Sequence, residues 1–469
     1  MARYLYGNPP DYLKRPPARL QPILAKQGKP NIDIDRLRRD LAGVAVIEET
    51  LVVQSPEHWQ KMIATLDKSI DAILPVSITA YPTEVWNSHP QPLVDRKLPV
   101  LFWCLQDHDE PDFWRWSARD LLRTLGIEVY LARNHRDGIE RVKALAMRRF
   151  LCNSRLIVFG KQNFPWNADA VGDRMRKLLG TEILVRPLEA FRRPYPAVKD
   201  REIREVIDQR LNQRYRLGTV KTDELLQAVR TYLAIRAVLQ EEKALGFGVN
   251  CFGDLVIGNG RDVPCLAQCL LREDGYIAAC DGDFAAMMTM VLTSFFTDEA
   301  AMMSNLYPVS YVGALTDHFG DPLSPNARRY ARKRWPNIAR LAHCGYIGVI
   351  SPEMTPGGSV VLNDWGGTYE IKRDGLGCGI DAELVAGRPL TAAELYFDGQ
   401  RFLLGRARVL ETTRHAGMPH CESSALLEFD DLPGFVELIS REHAVFVYGD
   451  HIESLKLLGE TLGLACKVV

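Results

Sequence analysis

From about residue 40 the chain alternates short apolar runs with amphipathic stretches. Val44–Ile47, Ala72–Val76, Pro99–Trp103 and Glu128–Leu131 each read as a buried strand. Between them, Ala118–Leu125, closed by Gly126, reads as a helix. So does a stretch from about Asp137 that keeps Ile139, Val142, Leu145 and Ala146 on one face. Such alternation predicts a parallel sheet covered on both sides. The pattern restarts with strands at Leu156–Gly160 and Glu182–Val185. A long helix follows Thr222, with Leu225, Val229, Tyr232 and Leu239 on one face, Asp223 and Glu224 in its first turn and Gly246 as its stop. Phe247–Cys251 reads as the next strand. Past residue 300, Gly, Pro and Thr punctuate short runs at Gly345–Ile350, Ser359–Leu362 and Arg401–Leu404, the texture of a β-rich, barrel-like domain. Strand Ala444–Tyr448 and a helix over about 452–462 close the chain. The predicted class is α/β, with an extended Pro- and Arg-rich arm over 1–40, parallel-sheet domains over 41–150 and 151–298, and a β-rich domain over 299–469.

The chain's 469 residues exceed one ordinary core, in keeping with several domains. A net charge of -1 lacks the basic surplus of a nucleic-acid binder, so Arg328, Arg329, Arg332, Lys333 and Arg334 read as a solvated face or an anion-contacting patch. No apolar run is long enough to span a bilayer, and the start shows no secretion leader. The expectation is a cytoplasmic protein with no membrane or nucleic-acid partner. Its ten scattered cysteines are expected as reduced, mostly buried thiols, because Cys265 and Cys269 lack a second pair to complete a zinc set.

Three segments carry possible chemistry. Gly375-Leu376-Gly377-Cys378-Gly379 looks like a phosphate loop, but Ile380 stands where the third glycine belongs, so a β-turn or bulge is expected. Tyr276–Asp283 runs an apolar strand into Asp281-Gly282-Asp283 and then an almost wholly apolar helix, Phe284–Phe296. Carboxylates at a strand's end can hold a divalent cation or move protons. Equally, Asp283 can cap the helix while Asp281 serves the turn. His443, at the entry to the last strand, and His343, beside Cys344, are each either packed core histidines or ligands. His415 and His420 are of the same kind.

Taken in order, several runs resemble the L-fucose/L-arabinose isomerase-like family. They are Asp262–Leu266, Ala279–Asp283, Met287–Met290, Gly387–Thr391 and His443–His451 with Leu455–Leu464, together with Phe159-Gly160 and Phe164-Pro165. The resemblance implies two Rossmann-like α/β domains followed by a β-barrel-containing C-terminal domain. It implies metal-dependent aldose–ketose isomerisation through an ene-diol, with Mn²⁺ held by two carboxylates and a histidine. Carried over, the first carboxylate falls on Asp281, one methylene shorter than the family's Glu, and the histidine on His443. The second carboxylate falls near Asn305, which offers an uncharged carbonyl oxygen and no base. Metal ligands are therefore expected at Asp281, Asn305 and His443, with Asp281 or Asp283 as the proton-transfer base. His343 is expected to orient a substrate hydroxyl. A homo-oligomer, trimer or hexamer, acting on a small-molecule sugar is implied, with Trp86, Trp103, Trp114 and Trp116 as candidate cleft walls or core. The altered carboxylates keep two alternatives open: a non-catalytic sugar-binding or regulatory protein, and a lyase or epimerase using the same cleft.

Overall fold

The computed structural model describes residues 9–26, 30, 32–76, 89–103, 113–161, 168–257, 263–311, 327–343, 360–365, 367–368, 371–372, 377–413 and 424–469. The side chains of Trp114 and Trp116, together with Trp86, His415, His420 and the 345–350 run, lie outside what is described. The chain forms two compact units, residues 15–151 and residues 1–14 with 152–469.

In the first unit, β1 (Ala18–Ala25), β2 (Ala45–Ile47), β3 (Leu51–Val53), β4 (Ala72–Pro75), β5 (Val100–Trp103) and β6 (Val129–Ala132) make a parallel sheet. Its order is β2-β1-β4-β5-β6, with β3 also on β1. The apolar runs form β4, β5 and β6 because each is buried at every position. Trp103 lies in that core, 3% exposed. The expected extended arm over 1–40 instead contributes a strand to this sheet. Residues 18–25 are an inner strand, since Leu20 and Ile23 are buried between neighbours. Pro22, which has no N–H to give, sits where the partner changes from β2 to β3.

The second unit opens with β7 (Arg155–Phe159), β8 (Glu182–Arg186), β9 (Tyr215–Leu217), β10 (Gly246–Val249) and β11 (Ile277–Ala279). A four-stranded parallel sheet runs β11-β10-β7-β8. The helix before β10 spans Thr222–Glu242 and ends on left-handed Lys243, three residues before Gly246. Gly246 serves the sheet instead, because a Cβ there would stand 2.1 Å from the Ile277 carbonyl oxygen on β11. The predicted stop thus moves to Lys243. Residues 11–13 of the expected arm form a single turn in this unit, with Tyr12 Oη 2.9 Å from Tyr276 Oη.

The remaining strands are β12 (Ala301–Pro308), β13 (Ile338–Ala342), β14 (Val360–Asp364), β15 (Gly367–Thr368), β16 (Ile371–Lys372), β17 (Cys378–Ala382), β18 (Pro389–Leu395), β19 (Arg401–Thr413), β20 (Ser424–Phe429), β21 (His443–Tyr448) and β22 (Ala465–Val468). The order β18-β21-β12-β13-β20-β19 closes on itself through β18–β19, giving a six-stranded antiparallel barrel with β22 added to β19. Closure falls to β19, which pairs β18 with its first half and β20 with its second and carries a register shift between Val409 and Glu411. A small sheet joins β17, β14 and β9, and β15 pairs β16 as a two-stranded ribbon. Cys378 and Gly379, from the glycine-rich run, lie in β17, while Gly375 and Leu376 lie outside the described residues. The helix Phe284–Thr297 is buried at every position through Phe296, which is why its sequence is apolar all round. It is tied to the barrel where Leu395 N donates to Thr289 Oγ1 at 2.9 Å.

Candidate metal centre

Strand β11 ends at Ala279, and the chain turns immediately into the buried helix. That turn needs two successive left-handed residues, Asp281 at φ 56° and Gly282 at φ 63°. Aspartate tolerates this region better than most side chains. Gly282 N donates to Val249 O at 3.1 Å, fastening the turn to the end of β10. Asp283 then caps the helix, accepting from Ala286 N at 2.8 Å. Both carboxylates are buried, 4% and 1% exposed.

The barrel brings the histidines to them. His443 opens β21, and His343 directly follows the last residue of β13. His443 Nε2 lies 3.4 Å from Asp281 Oδ2, and His343 Nε2 lies 3.5 Å from the same oxygen. Asp281, His343 and His443 are all buried, and their candidate donor atoms lie within 4.8 Å of one another. Two donors held ~2.1 Å from one cation in tetrahedral geometry stand about 3.4 Å apart, so the spacing suits a shared divalent ion. Both Nε2 atoms face the carboxylate, and His443 is held so by its Nδ1, 3.0 Å from Asp283 Oδ2. With Asp283 ionised, Nδ1 carries the proton and donates it.

Behind Asp283 sits Arg441, its Nε 3.0 Å from Asp283 Oδ2 and its Nη1 3.4 Å from Glu394 Oε1. Glu394 also accepts from Ser440 N at 2.9 Å, and Arg441 Nη1 donates to Leu395 O at 2.9 Å. Burial alone would raise the pKa of both aspartates. The two imidazoles outweigh it at Asp281, and Arg441 with His443 outweigh it at Asp283, so both are held below the usual carboxylate range. Burial by itself lowers His443, but Asp281 and Asp283 outweigh it and raise its pKa. Burial dominates at Glu394, whose pKa is raised.

Asn305 pairs directly with His443 across β12 and β21, and with Ala342 across β12 and β13. Residues opposite one another in an antiparallel ladder share a face, so Asn305 stands beside His443. Its Nδ2 donates to Tyr307 Oη at 2.9 Å, while its buried Oδ1 accepts no hydrogen bond from the described residues. A buried carbonyl oxygen without a donor is the condition a cation would relieve. Cys251 Sγ borders the site, 3.5 Å from Asp281 Oδ1.

Of the residues nominated from the sequence, Asp281, His343 and His443 converge, Asp283 stands behind His443, and Asn305 lies opposite it in register. Arg441 stands two residues before His443, and its partner Glu394, 47 residues earlier in the chain, was missed. A lone acid inside the apolar run Leu390–Leu395 was the signal that marked it.

Residues 167–298, which include β8, β10, β11 and Asp281, match the family model for the L-arabinose isomerase central domain. No curated protein matches the chain significantly. Among solved structures, one described as a two-component system response regulator/GGDEF domain protein is similar over 54% of this chain and 97% of its own, at 13% identity. The TM-score of that likeness is 0.21.

Proposed function

We propose, from the membership of the L-arabinose/L-fucose isomerase-like family that residues 167–298 support, that this protein is a divalent-cation-dependent isomerase of a small-molecule sugar. The observation that carries the reading is the buried convergence of Asp281, His343 and His443 at the end of a parallel strand, where ligands of such sheets bind. A bound divalent ion supplies Lewis-acid stabilisation for neighbouring sugar oxygens on the way to an ene-diol. Asp281 Oδ2 and the two Nε2 atoms are the ligands we assign, with Asn305 Oδ1 as a neutral fourth. Mn²⁺ is the ion the family resemblance implies.

Proton transfer falls to the chain's own carboxylates. Both oxygens of Asp283 are engaged, Oδ1 by Ala286 N and Oδ2 by His443 and Arg441. Asp283 therefore holds the His443 tautomer, and Asp281 is the base of this proposal. A homo-oligomer, trimer or hexamer, in the cytoplasm completes the reading, and light scattering on the purified protein checks the assembly.

A second reading is favoured by one observation: Asn305 removes the second proton shuttle, leaving a site able to bind a sugar without turning it over. A one-base epimerase or lyase stands on the same ground. Incubation with pentoses, hexoses and deoxyhexoses in D₂O, followed by proton NMR, separates them. Loss of the C2 proton with ketose formation is the expected result. Binding with no exchange overturns the isomerase reading in favour of the second, and a dehydrated product favours a lyase.

A further inference from the structure

The charge facing the candidate centre is smaller than its two aspartates imply. Asp283 is compensated by Arg441, 3.0 Å away, and shares its oxygen with His443 Nδ1. Arg441 in turn is held by Glu394 and the Leu395 carbonyl. Two carboxylates share one guanidinium there, and the Asp283 carboxylate itself is engaged by Arg441 and His443. Among the described residues, Asp281 is then the one carboxylate facing the two Nε2 atoms. Opposite His443 in register stands Asn305, 8% exposed and uncharged, with the Cys251 thiol 3.5 Å from the other Asp281 oxygen, Oδ1. The Asn305 Nδ2 is taken by Tyr307 Oη, which leaves the carbonyl oxygen as the atom on offer.

Two imidazole nitrogens, one carboxylate oxygen and one amide carbonyl oxygen make a mixed donor set with a single negative charge. Oxygen-rich, anionic sets suit Mn²⁺ and Mg²⁺, whereas imidazole suits Co²⁺, Ni²⁺, Zn²⁺ and Fe²⁺. We infer that Asn305 is the selectivity-determining residue of this centre, tuning it toward imidazole-preferring cations and away from Mn²⁺. The inference rests on the reading that Asp281, His343 and His443 hold a cation; it does not depend on sugar turnover.

The test uses the full-length protein stripped with chelator. Mn²⁺ binding is read from loss of the free-ion electron paramagnetic resonance signal, and Co²⁺ binding from its visible absorption and from calorimetry. For the unaltered protein the two dissociation constants are expected to differ by about 10³ or more in favour of Co²⁺. In Asn305→Asp, Mn²⁺ is expected to bind on the order of 10- to 100-fold more tightly, with a smaller gain for Co²⁺. Asn305→Gln, which keeps a neutral carbonyl, should retain the original ratio. A difference within about ten-fold in the unaltered protein overturns the inference, whether or not the variants fold. An unchanged ratio in folded Asn305→Asp, or the same gain in Asn305→Gln, overturns it too. Failure of the unaltered protein to bind either ion overturns the cation reading along with the inference. Co²⁺ binding with the expected ratio but no sugar exchange leaves the inference standing and sinks the isomerase reading alone.

Discussion

Asp283 carries three interactions at once, and replacing it separates them. It caps the helix Phe284–Thr297, anchors His443 Nδ1 and pairs with Arg441, all while 1% exposed. Losing an N-cap costs about 1 kcal/mol. Breaking a buried ion pair by removing one partner costs about 3–5 kcal/mol, because the other charge is stranded. Arg441 retains Glu394 at 3.4 Å, which places the ionic loss toward the lower end of that range. Asp283→Ala is therefore expected to destabilise its surroundings by about 4 kcal/mol. Asp283→Asn keeps the cap and the volume, so its loss should be about 1 kcal/mol smaller. Hydrogen exchange of the 284–297 amides, read by mass spectrometry, reports this locally and avoids assuming that a chain with two compact units unfolds in one step. The expected acceleration is on the order of 10³-fold in Asp283→Ala and about five-fold less in Asp283→Asn. Both variants should also weaken Co²⁺ binding by about 10- to 100-fold, since His443 loses the acceptor that fixes its tautomer. Equal and small effects, under about 1 kcal/mol in both variants, would refute the reasoning.

Gly246→Ala should push β11 from β10, since the new Cβ would meet the Ile277 carbonyl at 2.1 Å; a loss of ~1–3 kcal/mol or more and weaker Co²⁺ binding through a displaced Asp281 are expected by urea titration and calorimetry. Arg210 donates to Glu273 Oε2 at 2.8 Å and to Asp274 Oδ1 at 2.8 Å, with the Glu273 side chain fully buried. Arg210→Ala should cost about 3–5 kcal/mol, and the double variant Arg210→Met/Glu273→Met should recover part of it in the same urea assay. In the metal-free protein His443 should keep its proton to a pH above the usual value of about 6.5, as imidazole NMR can show. Because that pKa is raised by folding, the stability it brings is complete below about pH 6.5 and is lost as pH rises through the folded value. Titration at or below the unperturbed value would contradict the Asp281–His443–Asp283 geometry.

Strands buried at every position were the readable part of the fold: β4, β5 and β6 are runs in which hydrophobicity alone dictates burial, and β7 is one from Leu156 onward. β1 was hidden because Arg19, Gln21 and Pro22 interrupt its apolar residues, and its inner place depends on the partners that arrive later in the chain. β12 was hidden in the same way: Ser304 and Asn305 break its pattern although all eight positions are buried. Gly246 read as a helix stop because glycine has the same local signature whether it ends a helix or admits a neighbouring backbone. In the site, the Asp-Gly-Asp turn and His443 stood out locally, but Asp283 and His443 are 160 residues apart. Only barrel closure beside the parallel sheet joins them, and no spacing in the sequence encodes that distance. The dual role of Asp283, cap and histidine anchor, likewise merges two readings that the sequence presented as alternatives.

Diffraction from a crystal grown with Co²⁺, recorded at the cobalt absorption edge, tests the centre most directly. An anomalous peak within bonding distance of Asp281 Oδ2, His343 Nε2 and His443 Nε2, absent in His443→Ala, is the predicted result. Full soaking with no peak at these three atoms, or a peak bound only elsewhere on the chain, would contradict the account.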